Sequence, residues 1–297
     1  MDLNQFTCRC MKKTALLLFA FVSPIILCGQ DFLSDSAAIK ISYGSTPDRK
    51  VEGQNVEIGG SQFELMTPLY YHEGSNWSFG AGLRYQSTDL DVSSSAFLNE
   101  DQLHSLELAL FLSKDYSDTL KGIALFVPGM SGDFDATGSD AMNYMALAGV
   151  RWKQSETFQW IFGAFYSTGF DDDMFLPAIG FMWEPSDQMD LVFAGPILRY
   201  RYSLSDSIDL ILGGQFSGNR WLTEADYGSG VTEREFAMTA YRLYTTLQWN
   251  PSEKHGVFAS IGAELGREVA LKYTNGVESD RDLKSAPSFE VGYRYRF

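Results

Sequence analysis

Cysteine is absent from this chain after position 28: its three cysteines are Cys8, Cys10 and Cys28. Beyond that point no disulfide can staple the fold, and neither thiol catalysis nor a thiolate metal site can be built. Histidine is scarce as well, with only His72, His104 and His255. A serine nucleophile therefore has few bases to draw on. His104 and Ser105 are sequence neighbours, and in a strand they would point to opposite faces. No Gly-x-Ser-x-Gly elbow, His-Glu-x-x-His pair or glycine-rich phosphate loop is present. These absences argue against an enzyme and against a bound cofactor. Basic charge is also short: 23 Lys and Arg stand against 38 Asp and Glu, a formal net charge of −15. Nucleic-acid binding is excluded on that ground, because it needs cations to neutralise phosphates. Long apolar runs are missing everywhere but the N-terminus, so no helix in the body of the chain is expected to cross a membrane.

The N-terminal exception is Thr14 to Leu27, with Lys12 and Lys13 before it and Cys28-Gly29-Gln30-Asp31 after it. A basic start, an apolar core and a small polar exit are the layout of a secretory signal peptide. Residues 1–30 are expected to be that leader, and Met11-Lys12-Lys13 makes a better start than Met1. Cleavage is expected near Gly29 or Gln30. Lipidation at Cys28 is the alternative, although Leu27 is bulky where a lipoprotein signal wants a small residue.

What the remaining chain does have is a period of two. Ile39, Ile41 and Tyr43 alternate with polar residues, as do Trp77, Phe79, Ala81, Leu83 and Tyr85. So do Leu106 to Leu112, Phe158 to Tyr166, Tyr241 to Trp249 and Val257 to Leu265. Such alternation is the mark of strands with one apolar and one polar face. The breaks between these segments alternate between short ones, such as His72 to Asn76 and Ser205 to Ser207, and long ones, such as Gly44 to Gln54, Ser131 to Asp140 and Leu222 to Glu235. Tyr71 and Trp77 flank one short break, Trp152 and Phe158 another, and Trp183 and Trp249 each precede one. Aromatics collect at membrane–water interfaces, and outer-membrane barrels pair short turns at one end with long loops at the other.

The expected fold is all-β: a closed, antiparallel, up-and-down transmembrane β-barrel of about 14 strands over residues 31–297. Met189 to Leu204 decides the count. A turn at Ala194-Gly195-Pro196 preserves the short–long order and gives fourteen, with two strands short for a crossing. Twelve is the alternative, with that segment crossing once and Ile39 to Tyr43 outside the barrel.

The last segment, Phe289 to Phe297 (FEVGYRYRF), places Phe289, Val291, Tyr293, Tyr295 and Phe297 on one face. With the leader, the alternation and the loop order, this ending resembles bacterial outer-membrane β-barrels. In that group, a terminal aromatic strand is the signal read by the barrel-assembly machinery. More narrowly, Phe181 to Leu191 (FMWEPSDQMDL), Gly195 to Tyr202 (GPILRYRY) and Ile208 to Phe216 are similar to uncharacterised outer-membrane barrel families described as domains of unknown function. The resemblance implies a bacterial outer-membrane location reached through the periplasm. It implies outer-membrane lipids and the assembly machinery as partners, and small solutes as cargo. It brings no functional residues with it.

Parity points Arg84, Arg151, Arg199, Arg201, Arg242, Arg294 and Arg296 inward, together with Lys40. Glu64, Glu107, Asp209, Glu264 and Glu290 share that face. A ring of arginines would select small anions; a lumen laced by Arg–carboxylate pairs would not. The small excess of basic groups favours the second. Asp133, Asp135 and Asp140 have the opening spacing of a calcium loop, but Tyr144 stands where the closing acid belongs. A solvated acidic loop is the simpler reading. The expected function is a passive, porin-like channel or an apolar-solute transporter, with a non-conducting structural or surface-interaction barrel as the alternative. A surface hydrolase and a soluble secreted β-protein rank behind both. Oligomeric state is not legible.

Overall fold

The structure is a computed structural model that describes residues 38–94, 101–135, 139–170, 173–195, 197–226, 231–273 and 278–297. The leader, and with it the expectations about cleavage and Cys28, lies outside the described residues.

The alternating segments form strands β1 (Ala38–Lys50), β2 (Glu57–Glu73), β3 (Trp77–Val92), β4 (Gln102–Ser117), β5 (Leu120–Gly132), β6 (Met142–Lys153), β7 (Phe158–Ser167) and β8 (Met174–Ser186). They continue as β9 (Met189–Ala194), β10 (Ile197–Ser205), β11 (Ile208–Asp226), β12 (Val231–Trp249), β13 (His255–Tyr273), β14 (Glu278–Leu283) and β15 (Ala286–Arg296). Sequence neighbours pair antiparallel from β1 through β13. The lower part of β13 pairs with β15 (Gly256↔Arg294 to Glu264↔Ala286). Its upper part pairs with β14 (Arg267↔Leu283 to Lys272↔Glu278). β14 and β15 are therefore two halves of one stave, and the barrel has fourteen. β13 bends at Gly266, whose φ of 55° is left-handed backbone that a side chain would strain.

β1 closes the ring. Ile41 faces Tyr293 of β15 on one side and Leu65 of β2 on the other. That places Ile39 to Tyr43 in the wall and removes the twelve-strand alternative. Ala194↔Ile197 and Tyr202↔Met189 pair within one hairpin, so Met189 to Ser205 turns back instead of crossing once. Pro196 itself lies outside the described residues.

Ile41, Leu112, Phe162, Ile179, Leu243, Ile261 and Val291 stand exposed on the outer face. An apolar surface around the whole barrel has no place in water, where contiguous patches stay small; in a bilayer it is the solvated face. Trp77, Trp152, Trp183 and Trp249 stand exposed beside the short turns. Strict alternation in the sequence would put Phe63, Leu65, Thr67, Leu69 and Tyr71 on one face. A bulge between Pro68 and Tyr70 shifts β2, so that Tyr70 and His72 oppose Ala81 and Phe79, and Tyr71 moves to the other face. An added residue in one strand inverts every later side chain.

The long-loop end is more ordered than the polar sequence suggested. Much of Leu222 to Glu235 reads as loop, yet β11 and β12 stay paired to Asp226↔Val231. This hairpin leaves the wall and crosses the mouth. Leu222 bridges to Gly132 of β5, and the Asp133 N–H donates to Leu222 O. Asn219 Nδ2 donates to Ser105 Oγ of β4 at 2.7 Å. The side chain holding it there is Trp221. It stacks on Phe236 (ring centroids 5.8 Å apart) in an apolar core with Ile58, Leu103, Val269 and Leu283. Above the membrane belt, β1–β5 and β11–β14 thus roll into a narrower barrel with its own core. Among the described residues β6–β10 add no side chain to this core, and β6 meets it only through polar ties from Met142 and Asn143 to Arg220.

Candidate functional site: the barrel interior

The inner wall has two unlike sides. One carries charge. Arg84 of β3 donates to Glu64 of β2 at 2.8 Å and to Glu107 of β4 at 3.2 Å. Lys40 of β1 reaches Glu64 at 3.1 Å and Glu290 of β15 at 3.8 Å, and Arg242 of β12 reaches Glu290 at 3.1 Å. The register explains the chain. Arg84 lies directly opposite Glu107 and one pair away from Glu64, within diagonal reach across a sheet. The result is a continuous belt, Glu107–Arg84–Glu64–Lys40–Glu290–Arg242, in which cations and carboxylates alternate and cancel. Lys40 also stands over the Phe258 ring, and Arg242 over Tyr244.

A second neutral cluster lies near the short-turn end. Asp190 of β9 binds Arg199 at 3.3 Å and also Arg201. Arg201 reaches Asp209 at 3.5 Å, and Asp209 further accepts from Ser203 Oγ and Asn250 Nδ2. A third joins Glu264 to Arg267 and Thr46, each at 3.1 Å.

The belt separates two cavities. One of about 310 Å³ lies toward the long-loop end and touches Arg84, Arg242, Glu264 and Glu290. One of about 260 Å³ lies toward the short-turn end and touches Arg84, Arg199, Arg242, Glu290 and Arg294. Arg151, Arg201 and Arg296 line neither cavity. Arg151 sits in register between Lys121 and Ile161, and Arg296 donates to Glu253 O at 3.4 Å beside a short turn.

The other side of the interior is apolar. Phe111, Val127, Phe165, Ala178 and Ile197 are buried together, with Met145, Phe170 and Phe216 against them. Charge alternation did not signal this side, because the middle stretches of β5–β8 are apolar on the inward face, and Lys121 and Arg151 lie beyond them near the short turns. Asp190 also escaped sequence reasoning. Its inward parity in Met189–Ala194 was available, but only once that segment is a strand of its own.

Asp133 serves the crossing hairpin: Oδ2 accepts the Glu224 N–H at 2.8 Å and Oδ1 accepts the Asp135 N–H at 3.0 Å. Among the described residues no three His, Cys, Asp or Glu side chains converge on a metal position. Residues 136–138, between Asp135 and Asp140 of the calcium-like spacing, lie outside the described residues. His104 stacks on Phe134 and bonds Tyr85 Oη at 2.9 Å, while Ser105 accepts from Asn219 on the opposite face. The only adjacent His–Ser couple is thereby divided between two sides of the wall.

Solved structures resemble the chain at the level of fold. An outer membrane channel from Pseudomonas putida F1 aligns with a TM-score of 0.50 at 10% identity, over 88% of this chain and 95% of that one. The Pseudomonas putida toluene transporter TodX gives 0.36 at 13% identity, over 94% and 95%. The KdgM porin gives 0.37 at 10% identity, over 87% and 99%. No curated protein matches the chain. The fold is that of bacterial outer-membrane β-barrels. Residues 37–296 match one family from end to end, and the chain belongs to it: the family described as "Domain of unknown function (DUF6268)".

Proposed function

We propose that this protein is a passive outer-membrane channel for small uncharged or apolar solutes. The observation that carries the reading is the two-sided interior: the charges of one wall cancel in pairs, and the facing wall is apolar. A compensated belt offers an anion no net attraction, and its ion pairs stay stronger in a narrow lumen than in open water. Small polar groups find donors and acceptors on one side, and hydrocarbon finds the other. In reconstituted vesicles the expected result is faster uptake of the uncharged probe N-phenyl-1-naphthylamine than in protein-free vesicles, with little steady chloride current across planar bilayers. A second reading, a non-conducting structural barrel, is favoured by the Trp221–Phe236 core that fills the long-loop mouth. Failure of the protein to speed uptake of either the naphthylamine or glycerol would establish that alternative.

Outer-membrane barrels keep their short turns on the periplasmic side, and on that rule the crossing hairpin lies outside. Phe289, Val291, Tyr293, Tyr295 and Phe297 then form the lipid-facing side of the closing strand offered to the assembly machinery. Phe297 is largely exposed and meets the Tyr295 ring edge-on at 5.4 Å. Deleting Phe297 is expected to leave much of the protein unassembled in the periplasm, measured as loss of heat-modifiable gel mobility in the outer-membrane fraction. Full assembly of the truncated chain would remove this residue from the signal.

A further inference from the structure

Among the described residues, the wall beside the apolar side of the lumen is interrupted at the short strands β9 and β10. β9 has six residues and β10 nine. A crossing strand needs about 9–11 residues, and six of them tilted at about 45° climb only ~14 Å of an apolar band ~25 Å tall. The β9–β10 turn, with Gly195 at φ 61°, therefore ends inside the bilayer. β8 pairs with β9 only up to Gly180↔Ala194, and β11 pairs with β10 only up to Gly214↔Leu198. Above those pairs, residues 174–178 of β8 and 215–219 of β11 face each other without a strand between them among the described residues. Pro177 stands in the β8 stretch and brings no N–H to it.

β11 has already begun to veer inward here. Phe216 has the outward parity of Leu210 and Leu212, yet it packs with the interior residues Phe165, Ala178 and Ile197. Phe170, from the connection between β7 and β8, meets it edge-on with ring centroids 5.1 Å apart. The larger cavity extends to both rings. Open sheet edges are not tolerated in hydrocarbon unless they line a cavity or are covered by protein. The interrupted wall thus marks where the interior meets lipid.

We infer that this interruption is a lateral portal. A small uncharged apolar solute moves through it between the lumen and the bilayer hydrocarbon, and Phe170 and Phe216 form the stopper. The inference rests on the transport reading above. Size agrees, since an apolar cavity of ~150 Å³ already holds a benzene ring and the cavity behind the stopper is about 310 Å³. Chemistry agrees as well. The two rings that close the throat are apolar, and the β11 edge beside them, with Gln215, Ser217 and Asn219, carries no charge, so an ion would be stripped of water with no counter-charge to replace it. The crossing hairpin and its Trp221–Phe236 core obstruct the axial way out, which leaves the wall as the outlet.

The test uses single cysteines in a chain whose three native cysteines are replaced by serine. F216C, L112C and S42C proteins are labelled with bimane and placed in vesicles containing doxyl-labelled phosphatidylcholine. Leu112 is exposed on the outer face and Ser42 lines the larger cavity. The label at 216 is expected to be quenched nearly as strongly as that at 112, with 42 protected. Protection at 216 equal to that at 42, in protein with native heat-modifiable mobility, overturns the portal. A second variant, F170A, is expected to speed naphthylamine uptake several-fold without raising chloride current. A new chloride current instead would make the stopper a seal on an aqueous pore and overturn the inference. Uptake without quenching at 216 rejects the portal alone. Quenching without uptake by either protein rejects the transport reading, and the portal with it.

Discussion

Replacing both Glu64 and Glu290 with glutamine turns the neutral belt into an anion-selective one. Glutamine keeps the shape of the side chain and removes its charge. Lys40, Arg84 and Arg242 would then face Glu107 alone, a net excess of two positive charges where there is now none. In a narrow, partly dry lumen such an excess concentrates anions far more than it would in water. Planar-bilayer recording is expected to show a chloride current above that of the unaltered protein, with the reversal potential displaced toward chloride. Adding R84Q and R242Q to the same protein restores neutrality and should abolish the effect. Unchanged selectivity in the doubly substituted protein would place the belt off the permeation path. The substitution also has a cost in stability. Breaking a buried pair typically loses about 3–5 kcal/mol. The glutamates here are 13% and 18% exposed on the cavity, so the loss is expected below that range.

The W221A protein loses the cap and keeps the barrel. Trp221 is 4% exposed, and its stacking partner Phe236 is fully buried. Emptying such a site costs about 3–5 kcal/mol. The loss falls on the part of the fold that this core holds together. The membrane staves keep their own ladders, and regions with separate cores open separately. Heat-modifiable mobility should persist, while hydrogen exchange and added protease should reach residues 219–238 far faster. With the hairpin loosened from β5, the axial mouth opens and ion current should rise. A cap as resistant as the original would mean that the polar ties suffice to hold it. Those ties run from Asn219 to Ser105, from Arg220 to Asn143 and from Asp133 to Glu224.

Alternation assigns a face to each residue, because successive side chains in a strand point to opposite sides wherever the strand happens to lie. It does not name a partner. The Lys40–Glu64–Arg84 links depend on the stagger between neighbouring strands, which no single segment contains. Parity also fails after an added residue, as it did for Tyr71 beyond the β2 bulge. Asp190 was missed for a related reason. Its role depends on Met189–Ala194 being a strand, and the pairing of Ala194 with Ile197 decides that.

The sequence by itself determined a closed antiparallel barrel with an apolar outer belt. Period-two patterning and the order of short and long breaks are local properties, readable from neighbouring residues, and together they led to fourteen strands. Only the tertiary structure decided how the ends of that barrel are finished. Trp221, Phe216 and Leu222 lie on one ordinary-looking strand, and nothing in their spacing says that it leaves the wall. It does so because apolar side chains from Ile58 to Leu283 gather around Trp221, and because Asp133 and Asn143 wait across the mouth to satisfy the displaced backbone. Contacts between residues so far apart in the chain exist only once the barrel has closed.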